Sequence, residues 1–343
     1  MFGTVRAEPT RAGGFYNSPQ ASRTDATSGR KASLFDRPAA INRGRATLTS
    51  ARIGGPIDTI NKSYPRGNFC VNAAMDRLKG KVAVVIGAGQ SPGEAMGNGR
   101  ATTIRFAQEG AAILAVDRDA ASAQQTLDMA GDTKLDADVF AADVTDTERI
   151  RAAMDAAMAR WGRIDILHYN VGISVTGGEQ VLDKLTDEVF DRVNAVNLRG
   201  AVMAAKFVEP IMRSQQSGSV IFVSSMSAIE TKTPLVAYRT SKAGMIAFMQ
   251  LFAIHNAEYG VRANAILPGV MDTSMSVDTR MRLSGMSRED LVADRNSRVP
   301  LRRRQGTGWD VANAALFLAS DEAQFITGVS LPVDGGNLVK IGW

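Results

Sequence analysis

Apolar residues in this chain fall into short unbroken runs, separated by longer stretches in which they recur every three or four positions. Val82-Ala83-Val84-Val85-Ile86, Ala112-Ile113-Leu114-Ala115-Val116 and Val220-Ile221-Phe222-Val223 carry no polar alternation, which marks strands covered on both faces. Strands are expected near residues 82–87, 112–117, 137–141, 164–169, 219–224, 262–267 and 329–333, with the longest helices near 186–213 and 238–258. Buried strands alternating with helical patterns predict an α/β fold, a doubly wound parallel seven-stranded sheet with helices on both faces. Right-handed crossovers put the strand C-termini on one edge. The loops ending at Gly99, Asp117, Asn170, Ser225 and Gly269 converge there, and ligands bind at that edge in such sheets.

The first predicted strand runs into Gly87-Ala88-Gly89, then Gly97-Asn98-Gly99 and the helical stretch Arg100 to Gln108. A strand, glycine loop and helix in this order lets backbone N–H groups approach a pyrophosphate at the helix N-terminus without a Cβ in the way. The second strand ends on Asp117, placed to accept hydrogen bonds from a ribose 2′-hydroxyl.

Tyr238 and Lys242 are spaced i, i+4, and Ser225 stands thirteen residues before the tyrosine at the end of an apolar run. On a helix that spacing puts the ammonium and the phenol on one face, where the cation favours the phenolate. The phenol then serves as a base, which a free tyrosine with a pKa of about 10 does poorly at neutral pH. An isolated Tyr-x-x-x-Lys is equally what a solvated helix face produces. The glycine loop and Asp117 upstream give it a chemical context.

With these motifs in place, residues 78–336 resemble a short-chain dehydrogenase/reductase of the single-domain type with a Rossmann core. Asp143-Val144, Asn170-Val171-Gly172, Val196-Asn197-Leu198, Pro268-Gly269 with Thr273, and Val333-Asp334-Gly335-Gly336 follow in family order. The resemblance implies that Asp143 and Val144 lie against adenine, and that Gly87, Gly97, Gly99, Asp117, Arg118, Asn170 and Gly172 belong to the cofactor site. Pro268, Gly269 and Thr273 would close over the nicotinamide amide. Ser225 would polarise the reacting oxygen, Tyr238 act as acid/base, Lys242 lower its pKa and hold the nicotinamide ribose, and Asn197 support a water chain. The reaction implied is hydride transfer between a secondary alcohol and a ketone, in a homodimer or homotetramer. A carboxylate at Asp117 repels a 2′-phosphate, so NAD is the expected cofactor. NADP becomes the alternative if Arg118 takes up the phosphate while Asp117 turns away.

Two departures stand out. The usual Gly-x-x-x-Gly-x-Gly loop is stretched to Gly87-x9-Gly97-x-Gly99 by an insert around Gln90-Ser91-Pro92-Gly93-Glu94. It reads either as a tolerated surface insertion or as an altered approach to the phosphates, which Glu94 would repel if it faced inward. Tyr169 stands where relatives more often carry the first asparagine of the turn after the fourth strand, so a local change in packing is expected. The substrate segment, near 274–300, carries Arg280, Arg282, Arg288, Arg295 and Arg298 among Met275, Met281 and Met286. It suits either an anionic or partly apolar substrate, such as an oxoacyl thioester or hydroxy acid, or simply solvated lid charges. Thr307 and Asp310 read as helix-entry chemistry.

The chain of 343 residues is 45% hydrophobic, with a net charge of +5. Residues 1–74 hold eleven Lys/Arg against four Asp/Glu, leaving the remainder close to −2. That basic segment lacks hydrophobic periodicity and is expected to be a disordered extension to a single domain at 75–343. It reads either as an organelle transit segment or as a bland extension before a natural opening at Met75, so a cytoplasmic location is expected, with a mitochondrial one as the alternative. No nucleic-acid partner and no membrane span are expected. Cys70 is the single cysteine, so no internal disulfide forms, and with only His168 and His255 no metal site is expected. The rival readings are a catalytically silent dinucleotide-binding regulator, which would be expected to lose members of the Ser/Tyr/Lys set, and a sugar-nucleotide epimerase or dehydratase, which would need a larger C-terminal substrate domain.

Overall fold

Continuous apolar runs need cover on both faces, and the sheet provides it. A computed structural model describes residues 76–131, 135–178 and 180–340; the expectation for residues 1–74 lies outside them. Seven parallel strands form one sheet: β1 (Val82–Ile86), β2 (Ala112–Asp117), β3 (Ala137–Ala141), β4 (Ile166–Tyr169), β5 (Gly218–Val223), β6 (Val261–Pro268) and, after a separate pair, β9 (Ser330–Val333). The pair is β7 (Met271–Asp272) with β8 (Gly306–Thr307), which tethers the two ends of the substrate segment. Strand order in the main sheet is β3-β2-β1-β4-β5-β6-β9, so the winding direction reverses between β1 and β4. A crevice opens at such a reversal.

Alternate residues along each strand feed two cores. Val84, Ile86, Leu114, Val220 and Phe222 face helices α3 (Thr147–Trp161), α5 (Gly200–Gln215) and α6 (Val236–Asn256) through Met154, Val208 and Met249. Ala83, Val85, Ile113 and Ile221 face α1 (Asn98–Gln108), α2 (Ala120–Met129) and α9 (Gly308–Ala319) through Phe106, Ala123 and Leu316. Burying a side chain such as Phe106 or Leu316 contributes about 1.5–3 kcal/mol. The remaining helices are α4 (Asp187–Asn194), α7 (Thr279–Ser284) and α8 (Arg288–Ser297).

Helix starts follow local polar chemistry. Asp146 caps α3 by accepting from the Glu148 and Arg149 N–H groups, and Asp119 caps α2 through Ser122. Thr307 and Asp310 form a capping box at α9, as the sequence suggested. Two expectations shift, and the substrate segment takes on structure. Strand β4 begins at Ile166 because the Asp165 carboxylate accepts from the Val82 N–H at 2.9 Å and pairs with Arg163. The long helix expected near 186–213 is divided into α4 and α5 by a π-helical turn over Ala195–Arg199. The polar substrate segment is largely helical, in α7 and α8.

Candidate active site

The C-terminal edge of the sheet opens on a cleft of about 1650 Å³. Every residue expected in the site lines it except Asn197, which stands directly behind. At one end, Gly87 follows β1 and Gly99 lies in the first turn of α1. A Cβ on Gly99 would stand 1.9 Å from the Gly87 carbonyl oxygen and 2.5 Å from Asn170 Nδ2, so only glycine lets the helix start this close to the strand. Asn170 secures the approach from the other side, its Nδ2 donating to the Gly87 carbonyl at 3.3 Å. Asn98 and Gly99 bring the start of α1 to the cleft wall, and Asn98 Oδ1 is buried with no protein partner. An opened helix start and a glycine cradle together fit a bound dinucleotide phosphate, while the orphan Asn98 oxygen suits a hydroxyl or water donor.

The lengthened loop is folded on its own residues. Gln90 Oε1 accepts from the Gly97 N–H at 3.0 Å, and its Nε2 donates to the Gly93 carbonyl. Gly97 is therefore engaged by Gln90 and serves as the residue preceding α1. The Ala95 N–H donates to Asp278 Oδ2 at 3.4 Å, and Arg282 reaches the Pro92 carbonyl at 3.2 Å. Arg288 joins Asp278 to Asp272 at 3.3 and 3.0 Å. The insert is thus docked on the substrate segment, while Glu94 is exposed and does not line the cleft.

Asp117, at the end of β2, is held by two N–H groups, from Gly89 at 2.9 Å and from Asp119 at 3.0 Å. Arg118 beside it is exposed. Asp143 accepts from the Thr145 hydroxyl at 2.7 Å and N–H at 2.8 Å, which hold its carboxyl below the ordinary range with help from the Arg118 charge. Val144 is buried.

At the other end, Tyr238 sits in the first turn of α6 and its hydroxyl hydrogen-bonds Ser225. Burial pushes the phenol up, while the Ser225 hydrogen bond and the Arg280 charge pull it down. Lys242, one turn on, is buried and donates from Nζ to the Val223 carbonyl at 2.7 Å. Burial lowers its pKa to about 7, so the cation acting on the tyrosine here is Arg280 more than Lys242. Ser224 and Ser225 divide their work. Ser224 Oγ donates to the Lys242 backbone carbonyl at 2.8 Å, whereas Ser225 faces the tyrosine and also accepts from the Ser227 N–H.

Asn197 lies in the π-helical turn between α4 and α5. Its Oδ1 accepts from the Ile173 N–H at 2.7 Å, and its Nδ2 donates to the Ile173 carbonyl and to Ser241 Oγ, both at 3.0 Å. Ser241 in turn donates to the Tyr238 carbonyl at 2.8 Å. Sequence reasoning missed this buried serine, although its place at i+3 from Tyr238 could have flagged it. Tyr169 explains part of the turn's geometry: its hydroxyl donates to the Val196 carbonyl at 2.6 Å. A Cβ on Gly200 would stand 2.4 Å from that hydroxyl, so the tyrosine and the glycine require one another. Tyr169 thus packs against the turn that carries Asn197.

Pro268 ends β6, and Gly269 is secured to β9 by an N–H bond to the Val333 carbonyl at 3.0 Å. Thr273 is buried and precedes the turn that leads into α7, its carbonyl accepting from the Ser276 and Val277 N–H groups. Among the described residues no group of three or more His, Cys, Asp or Glu could hold a metal ion, and no helix is long and apolar enough to cross a membrane.

Comparison with known proteins agrees with this architecture. The family model described as enoyl-(acyl carrier protein) reductase matches residues 93–337. The chain is 35% identical over 263 residues to 3-oxoacyl-(acyl-carrier-protein) reductase of Thermotoga maritima, covering 77% of this chain and all of that protein. A Burkholderia xenovorans structure described as a short-chain dehydrogenase/reductase superposes with a TM-score of 0.72 at 39% identity, covering 78% of this chain and 99% of the other. Carveol dehydrogenase from Mycobacterium avium, solved in complex with NAD, gives 0.70 at 32% identity over 77% and 99%. The cleft at the winding reversal and these matches along nearly the whole length of the relatives lead to one conclusion: the chain belongs to the short-chain dehydrogenase/reductase family, whose members are NAD(P)-dependent oxidoreductases acting on CH–OH donors.

Proposed function

We propose that this enzyme interconverts a secondary alcohol and a ketone with NAD(H), using Tyr238 as general acid/base. The observation that carries the reading is the hydrogen bond between Tyr238 and Ser225 at the wall of a cleft that also contains Asp117. Bound nicotinamide would supply the hydride acceptor in oxidation or the donor in reduction. Ser225 holds the substrate oxygen. In oxidation Tyr238 takes the hydroxyl proton as the C–H electron pair leaves; in reduction it returns that proton to the carbonyl oxygen. Lys242 stands ready to hold the nicotinamide ribose from the floor of the site, and Asn197 and Ser241 fix the backbone around Ile173 and Tyr238. Thr273, Pro268 and Gly269 would close over the nicotinamide.

The two N–H bonds to Asp117 support the preference for NAD. They keep the carboxylate at the strand end, where it accepts from ribose hydroxyls and repels a 2′-phosphate. A homo-oligomer is in keeping with the exposed Leu251 and Ile254 on α6.

The test uses the full chain. Fluorescence titration should show NADH binding at least about tenfold tighter than NADPH. Tyr238→Phe should lower turnover by about a hundredfold or more, within the range for general acid–base groups, with NADH affinity retained. Turnover surviving in that variant would overturn the acid/base assignment, and NADPH preference would overturn the role of Asp117.

A further inference from the structure

Five arginines crowd the substrate segment, and their partners separate them. Arg288 is spent on Asp272 and Asp278. Arg295 is buried, donating to the Met271 carbonyl, Ser276 Oγ and Gln305. Arg298 pairs with Asp294, and Arg282 ties the segment to the Pro92 carbonyl. Arg280 differs in its place. It is half-buried in the cleft wall, where its charge acts on the Tyr238 phenol, and is steadied by one bond from Nη1 to the Ser276 carbonyl at 2.8 Å; like Arg282 and Arg295, it forms no ion pair among the described residues.

Its surroundings deepen the imbalance. Arg280 and Arg298 both act on Arg295, which burial and these two charges push down to about 10. Of the five arginines of this segment, Arg288 and Arg298 are the two with carboxylate partners among the described residues. A half-buried guanidinium costs desolvation energy unless an anion meets it. Its planar fork matches a carboxylate with two parallel N–H bonds.

We propose that Arg280 is the recognition residue for a carboxylate carried by the substrate, making the substrate an oxo or hydroxy acid whose anionic end lies beside the Ser225–Tyr238 pair. The proposal rests on the alcohol/ketone reading above and deepens it by naming the substrate class. The arginine also sits where its charge acts on the phenol, so an incoming carboxylate exchanges that influence for its own pairing. Recognition and acid strength are then coupled at one residue.

The experiment is calorimetric titration of the full chain, free and saturated with NADH, with pentanoate and with pentanamide, which differ in charge and little in shape. Pentanoate should bind at least about tenfold more tightly than pentanamide, the difference expected of one charge-assisted pair. Arg280→Gln should bring that ratio to about one, Arg280→Lys should keep part of it, and Arg298→Gln should leave it within about twofold. Equal binding of acid and amide by the natural protein, or a ratio that survives Arg280→Gln, would overturn the proposal in favour of a solvated lid charge. Reduction of 4-oxopentanoate against its methyl ester gives the second reading: a preference for the acid that is lost in Arg280→Gln supports the assignment, and equal turnover opposes it. Failure of the underlying reading looks different, as absent NADH binding or as turnover that persists in Tyr238→Phe.

Discussion

His168 offers a stability experiment whose size can be worked out in advance. It lies on β4 between Val85 and Ile221 of the neighbouring strands, fully buried, with Phe106 edge-on at 5.9 Å. Neither ring nitrogen has a protein partner, and burial alone lowers its pKa from 6.5 to about 3. A depressed folded value means that stability is intact above the unfolded value and is lost as pH falls toward the folded one. Above pH 6.5 both states are neutral; below it the unfolded chain takes up a proton that the folded chain refuses. Each pH unit in that window costs about 1.4 kcal/mol, so about 2 kcal/mol is lost by pH 5, a sizeable part of the roughly 5–15 kcal/mol that holds a domain folded. His168→Leu, of similar volume, removes the titration and relieves two unsatisfied nitrogens. Urea unfolding of both proteins near pH 7.5 and near pH 5 isolates the histidine, because the carboxylates contribute equally to each. The variant should lose about 2 kcal/mol less than the natural chain on acidification. Parallel losses would refute the argument by showing that His168 is protonated or hydrated in the folded state.

The site makes further predictions. Gly99→Ala should lower NADH affinity by about a hundredfold or more in a fluorescence titration, because its Cβ would stand 1.9 Å from the Gly87 oxygen; near-natural affinity would refute the cradle. Asp278→Ala removes the acceptor for Ala95 and one partner of Arg288, and should weaken NADH binding several-fold through the Pro92–Ala95 stretch. Unchanged affinity would show that the insert is indifferent to the substrate segment. Burial raises the Tyr238 pKa, so alcohol oxidation, which needs the phenolate, should climb with pH through the alkaline range, while ketone reduction should hold level and then fall. A steady-state pH profile that is flat in both directions would remove Tyr238 from the proton path.

The strands were legible because burial on both faces leaves a local mark: nothing but apolar residues from Val82 to Ile86. Site positions such as Gly99, Ser225 and Tyr238 were legible for a related reason, since each is fixed by spacing to a strand end or within one helix turn. The tie between the stretched glycine loop and the substrate segment was not. It depends on Asp278 accepting from Ala95 across 183 positions of sequence, and no local pattern encodes a contact between two loops. The π-helical turn at Asn197 escaped notice similarly, because the partners that hold it, Tyr169 and Ile173, come from the neighbouring strand and its loop.

The arginines show the same limit from the other side. As a string, Arg280 to Arg298 is a run of similar charges in a polar segment, open to either an anionic substrate or a solvated lid. Sorting them requires their partners, and those partners are distributed unevenly: Asp272 and Asp278 for Arg288, Asp294 for Arg298, backbone and Gln305 for Arg295. With Arg282 tied to the Pro92 carbonyl, Arg288 and Arg295 hold the segment against β7 and the glycine-loop insert, while Arg298 is paired with Asp294 of α8. Arg280 stands where its charge acts on the phenol, with a single carbonyl to steady it, and the proposed carboxylate would meet a guanidinium that no described carboxylate has engaged.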